Sequence, residues 1–202
     1  TYTVVLSTGG SYPNSNVGNI TVLSTRPAGA APTSTVPGLA INTPYFAYVA
    51  ALNANAVPTA YAALGSTSTM ADLPSSAGST FSAVGLTELT ASWEAGGNAL
   101  SISTYTVELS TAADFNAYAA SVTFSTVPAG APTATFTGLN NNTTYYFRVR
   151  AINNNGVGTA FVNLGSTATL FSALASPSIV GLTEVNLSSI AAAWGLSATA
   201  TG

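Results

Sequence analysis

The stretch "TGLNNNTTYYFRVRAINNNGVG" at residues 137–158 decides the fold. At its centre, Tyr145, Phe147, Val149 and Ala151 alternate with Tyr146, Arg148, Arg150 and Ile152. A period of two puts the first set on one face of a strand and the second on the other. One face is apolar and the other mixed, as in an antiparallel sheet with one side on a core. Asn and Gly clusters on both sides read as turns. "TYTVELS" at 104–110 repeats the pattern, with Tyr105, Val107 and Leu109 on the apolar face. No long segment has helical periodicity, so the chain reads as all-β.

Working outward, the same text recurs. Residues 24–69 match residues 125–169 at an offset of about 100. "TYTVVLST" at 1–8 answers "TYTVELST" at 104–111. "VGLTELTASW" at 84–93 is answered by "VGLTEVNLSSIAAAW" at 180–194, a match that gives Glu88 and Glu184 the same place. Trp93 and Trp194 are 101 positions apart, and abutting a second copy head to tail reproduces that spacing across the seam. Self-similarity at a fixed period is the sign of a repeat architecture.

The unit resembles a fibronectin type III domain. The resemblance rests on Trp93, on Tyr105 and Val107, and on Leu139, Tyr145, Phe147, Val149 and Ala151, followed by "NNNGVG". The first copy carries Leu39, Tyr45, Ala47, Val49 and Ala51 at the corresponding places, with a smaller core expected where Ala47 replaces Phe147. The resemblance implies tandem seven-stranded immunoglobulin-like β-sandwiches. It implies a structural core of Trp93, Trp194, Leu39, Tyr45, Tyr105, Leu139 and Tyr145. The Leu-x5-Tyr spacing resembles the family's tyrosine corner, in which the hydroxyl bonds to nearby backbone. The expected map is a partial domain at 1–70 (strands C to G), a linker at 71–80, a complete domain at 81–170, and strands A and B at 171–202. The chain is thus expected to be cut within the B–C loop at both ends, the last segment completing the first part of the next copy.

Composition narrows the role. Charged residues are 4% of 202, against roughly a quarter in ordinary soluble domains. Lys is absent, and Arg26, Arg148 and Arg150 are the only bases in a chain of net charge −3. Binding nucleic acid needs several cations to neutralise phosphates, so it is not expected. No apolar run approaches the ~18 residues of a membrane span. So little charge favours association over solubility as a monomer.

Chemistry is sparse. With no His, Cys or Lys, the usual general bases and activated nucleophiles are missing. No catalytic, cofactor or metal site is expected. Glu88 and Glu94 are placed on strands A and B as surface charge. Asp114 in "TAADFNAY" stands alone, where calcium needs several oxygen ligands. Glu108 and the outward Arg148 and Arg150 are expected to form a cross-strand ion pair worth a few tenths of a kcal/mol. Asn-x-Ser/Thr sequons start at Asn19, Asn141, Asn142 and Asn186 and are candidate glycosylation sites.

The expectation is a non-catalytic structural subunit, or repeat period, of an extracellular filament, stalk or sheath, joined head to tail with itself. In flavour it resembles repetitive bacterial or archaeal cell-surface proteins, glycosylated or in contact with surface glycans. The alternative is an adhesive or spacer module of a larger secreted adhesin or enzyme. A filament predicts tight contacts between successive domains through 66–80 and 166–178, whereas a spacer predicts flexible linkers.

Overall fold

A computed structural model describes residues 1–13, 20–24, 33–99, 103–116, 123–128, 132–172 and 176–195. All the regular structure within them is β. In the second part of the chain, strands β5 (Ser75–Val84), β6 (Glu88–Glu94) and β9 (Thr133–Thr137) form one sheet in the order β5-β6-β9. Strands β7 (Thr104–Ser110), β8 (Thr123–Pro128), β10 (Thr144–Ile152) and β11 (Val162–Ala168) form a second, in the order β11-β10-β7-β8. Every pairing is antiparallel.

The alternation read from the sequence builds the core between these sheets. Leu89, Ala91 and Trp93 come from β6, Tyr105, Val107 and Leu109 from β7, and Phe147, Val149 and Ala151 from β10. Phe147 lies under two rings, with Phe81 at 5.1 Å and Phe136 at 5.7 Å between centroids. Trp93 meets Tyr105 edge-on at 5.5 Å. Such aromatic pairs add about 0.5–1.5 kcal/mol beyond their area. Burial pushes the Tyr105 hydroxyl above its ordinary pKa, an effect its hydrogen bond with Asn98 partly offsets.

The tyrosine corner forms twice. The Tyr145 hydroxyl accepts from the Asn140 amide at 3.0 Å, and the Tyr45 hydroxyl accepts from the Ala40 amide at 3.0 Å. Leu139 and Leu39 beside them are only half-buried. We expect Tyr145→Phe to lower the unfolding free energy by about 1 kcal/mol, because the part-buried Asn140 amide loses its acceptor. Urea denaturation of the two proteins measures it.

The first part of the chain holds β1 (Tyr2–Ser7), β2 (Ile20–Ser24), β3 (Pro44–Ala51) and β4 (Ala62–Ser68), in the sheet order β2-β1-β3-β4. This is the order β8-β7-β10-β11 again. The expected strands C to G are not all present, because residues 33–37 form no strand. Their counterparts 133–137 are strand β9, held by pairing along β6. Among the described residues, the first part contains no equivalent of β6 to pair with.

Strands β12 (Ser178–Val185) and β13 (Ile190–Gly195) form a two-stranded hairpin of their own. Its turn corrects the sequence match. Asn186 N donates to Ser189 O at 2.8 Å, as Gly85 N donates to Glu88 O at 2.8 Å. The turns therefore align without a gap, and Val185, Leu187, Ile190, Ala192 and Trp194 correspond to Val84, Leu86, Leu89, Ala91 and Trp93. Glu184 lies on β12 and Glu88 opens β6, so the shared "GLTE" text does not mark one place. Hairpin register follows the turn, and a one-residue slip would turn every side chain to the other face. Glu88 and Glu94 also depart from expectation, since both sit on β6, exposed at its two ends.

The linker is shorter than expected: β5 starts at Ser75, so only residues 69–74 join it to β4.

Candidate interaction surfaces

Three surfaces stand out. The first is the outer face of the β7–β10 ladder, where Glu108 pairs directly with Arg148. Arg148 Nε and an Nη both donate to Glu108 Oε2. The Arg148 guanidinium lies between two rings, 4.3 Å from the Phe115 centroid and 4.2 Å from that of Phe161. Arg150 shares the Phe161 ring at 4.7 Å. The expected ion pair is there, but the expected exposure is not. The Glu108 side chain is 6% exposed, because the stacked arginines and phenylalanines roof it. A buried pair is costly to break, so its weight exceeds the few tenths of an exposed one. In the first part, Val5 stands opposite Tyr48, and Tyr12 packs against Tyr48 and Tyr61 at 5.5 and 4.6 Å. The same ladder position is solved once with charge and once with apolar groups.

The second surface joins the two parts. Asn42 is fully buried there. Its Nδ2 donates to Ser103 Oγ at 2.7 Å, while its backbone and side-chain oxygens accept from Asn154 Nδ2 at 2.8 and 3.1 Å. Asn155 Nδ2 donates to Thr67 Oγ1 at 2.9 Å, and Asn153 Nδ2 to Thr69 O at 3.2 Å. Asp72 ties the connecting segment down: its Oδ2 accepts from Gly97 N at 2.8 Å, and its backbone exchanges two bonds with the Asn98 amide. Glycine is required at 96, where φ is +66° and a Cβ would meet the Leu73 carbonyl oxygen at 2.5 Å. The turn "NNNGVG", read as a polar loop, is thus half of a joint. Contacts were expected through 66–80, and Thr67, Thr69 and Asp72 supply them. The sequence signal for the other half was the lone Asn42, which nothing separated from other turn asparagines. Replacing Asn154 by Ala removes the Asn42 contacts made by its side chain and should loosen the joint without unfolding either part. Small-angle scattering would show a broader distribution of maximum dimension, with the melting temperature within a few degrees of wild type.

The third surface is a pair of open faces. In the first part, Tyr2, Val4 and Leu6 occupy the places of Tyr105, Val107 and Leu109, yet all three are only half-buried. Leu64 is 63% exposed where Leu164 is 5%. Ala47, in place of Phe147, floors a groove of about 360 Å³ lined by Leu6, Leu39, Tyr45 and Leu64. On the hairpin, Ile190, Ala192 and Trp194 are exposed together. Trp194 is 66% exposed where Trp93 is 2%, which corrects its expected place in a core: among the described residues no second sheet covers the hairpin.

Among the described residues there is no cluster of metal-ligating side chains and no helix long and apolar enough to cross a membrane. Asp114 caps its own turn, accepting from Asn116 N at 3.1 Å. Of the sequons, Asn142 and Asn186 are exposed, Asn141 is half-buried, and Asn19 lies outside the described residues.

Residues 74–162 match the family model of the fibronectin type III domain. That segment has a fibronectin type III-like fold. Its two sheets, tyrosine corner and buried tryptophan fit the match. Among solved structures, a two-domain fibronectin type III segment of chicken tenascin is similar at 14% identity, with a TM-score of 0.51 over 83% of each chain. That likeness speaks to the fold alone. The FN1–FN3 domains of chicken CNTN1 align at 17% identity and a TM-score of 0.36, over 84% of this chain and 56% of that one. No curated protein sequence matches the chain.

Proposed function

We propose that the chain is a non-catalytic structural subunit, or one repeat period, of an extracellular filament, stalk or sheath, assembled head to tail. One observation carries this reading. The chain presents an open sheet face and an open hairpin face that are the two halves of the fibronectin type III domain it also contains whole. A contact between two different patches that does not close into a ring extends into a fibre. Large exposed apolar faces are otherwise an aggregation hazard. The low charge fits a surface that lives among copies of itself. Fibronectin type III domains commonly serve as adhesion or spacer modules outside cells, and that is the second reading. The hydrogen-bonded joint at Asn42 and Asp72 favours the first, since a spacer is served by a flexible linker. A repetitive bacterial or archaeal surface protein, with glycans on Asn142 or Asn186, suits the same composition.

Mass under strong denaturation, taken on the native assembly, tests the filament. A species near 20.1 kDa means separate subunits. One many times larger means a continuous polypeptide of such periods. A native sample containing only 20.1 kDa monomer would end the filament reading.

A further inference from the structure

The complete domain is a template for how the open faces are filled. In it, β6 is sandwiched between β5 and β9, and β9 runs along β6 in a fixed register: Leu89 opposite Phe136, Thr90 opposite Thr135, Ala91 opposite Ala134 and Ser92 opposite Thr133. The hairpin β12–β13 reproduces β5–β6, and its β13 lacks the neighbour that β9 provides. Residues 33–37 carry the sequence that answers β9, and among the described residues no strand equivalent to β6 runs beside 34–37. Each has what the other is missing.

Resting on the filament reading, we propose that the hairpin of one copy docks on the open sheet of a second copy, and that residues 33–37 of that second copy then become a strand along β13. The template sets the register. Ile190 falls opposite Val36, Ala191 opposite Thr35, Ala192 opposite Ser34 and Ala193 opposite Thr33. A one-residue slip would put Ile190, Ala192 and Trp194 outside, so alternation pins this register.

Backbone groups support the same placement. In the complete domain, Leu139 N donates to Thr87 O at 3.0 Å, and Leu170 N to Gly85 O at 2.8 Å. Both acceptors are in the β5–β6 turn. The counterpart donors, Leu39 N and Met70 N, find no acceptor among the described residues. The counterpart acceptors are the Ser188 and Asn186 carbonyls of the docking hairpin. Docking therefore covers an apolar face, completes a strand ladder and satisfies two amides at the rim. Strand addition of this kind takes affinity from main-chain bonds and selectivity from alternating side chains.

Leu182 takes the place of Phe81 over the β10 equivalent, and Ala47 stands beneath it instead of Phe147. The groove above Ala47 is the space the hairpin enters.

The chain has no Cys, so a cysteine pair reports the contact cleanly. In the complete domain the Thr90 and Thr135 hydroxyls touch at 2.8 Å on the outer face. The matching pair is Ala191→Cys with Thr35→Cys. Under mild oxidation the double variant should give a ladder of disulfide-linked multimers on a non-reducing gel, with peptide mapping placing the link between positions 191 and 35. Each single variant should give at most dimers. The shifted control, Ala193→Cys with Thr35→Cys, should link at least tenfold less. Assemblies that sediment as multimers but link equally well through the shifted pair would overturn the register and leave the filament reading standing. A disulfide between these two positions inside monomers would overturn the second copy as occupant. Protein that stays monomeric in sedimentation without forming the link would overturn both.

Discussion

Arg148→Met is expected to destabilise the fibronectin type III domain by about 3–5 kcal/mol, the cost of stranding one partner of a buried ion pair. The Glu108 carboxylate, 6% exposed, would be left without its paired guanidinium. The opposite truncation, Glu108→Gln, should cost less. Arg148 keeps about a quarter of its side chain in water and both ring faces, so its charge is not stranded. The first part of the chain supplies the rescue. There the ladder position is Val5 opposite Tyr48. Combining Glu108→Val with Arg148→Tyr removes both charges and keeps the roof apolar, so the double variant should recover most of the lost stability. Replacing a buried pair by packed apolar groups is often neutral or better. Urea denaturation of the four proteins measures each of these differences against wild type. A double variant as unstable as Arg148→Met would mean that the arginine stack holds the roof together on its own.

The same ladder shows what could be read from the sequence. Alternation in "TYTVELS" and "TYYFRVRAI" placed Tyr105, Val107, Leu109, Tyr145, Phe147, Val149 and Ala151 inside, because a strand's period is set by its backbone alone. It also predicted the Glu108–Arg148 pair, since opposite charges on neighbouring strands need no tertiary information. Burial of that pair was not legible. It depends on Phe115 and Phe161, which come from two loops whose packing over the strands has no periodic signal. The joint was hidden for a similar reason. Asn42 and Asn142 occupy equal places and share a positive φ, at 47° and 48°, yet the first is buried and the second exposed. The arrival of Asn154 and Ser103 on one of them makes the difference. The mistaken "VGLTE" match shows the limit of text itself. Five matching letters outweighed spacing, whereas the hairpin aligns by its turn bond.

Strand formation at 33–37 failed to follow sequence because it is conditional. Thr33 to Pro37 keeps part of the alternation of Thr133 to Thr137, with Ser34 for Ala134, Val36 for Phe136 and Pro37 for Thr137. A strand at the margin of a sheet forms only beside its neighbour, and in the first part that neighbour is missing. The segment's state is thus a readout of whether the open face is occupied.

Trp194→Asp carries the largest expected effect on assembly. In the complete domain the matching Trp93 is fully buried against Tyr105. Removing a buried tryptophan costs about 3–5 kcal/mol, and a carboxylate in its place adds a desolvation penalty. At the docked hairpin that loss falls on association instead of folding, so head-to-tail affinity should drop by roughly a thousandfold or more. Sedimentation velocity would show multimers giving way to monomers at equal concentration. The thermal transition of the domain at 74–162 should hardly move, because Trp194 is exposed in the single chain. Trp93→Asp makes the opposite forecast: a domain that fails to fold, whatever the concentration. Two tryptophans 101 residues apart, equal in sequence context, would then report on two different equilibria. If Trp194→Asp left the multimers intact, the hairpin face would not be the adhesive one.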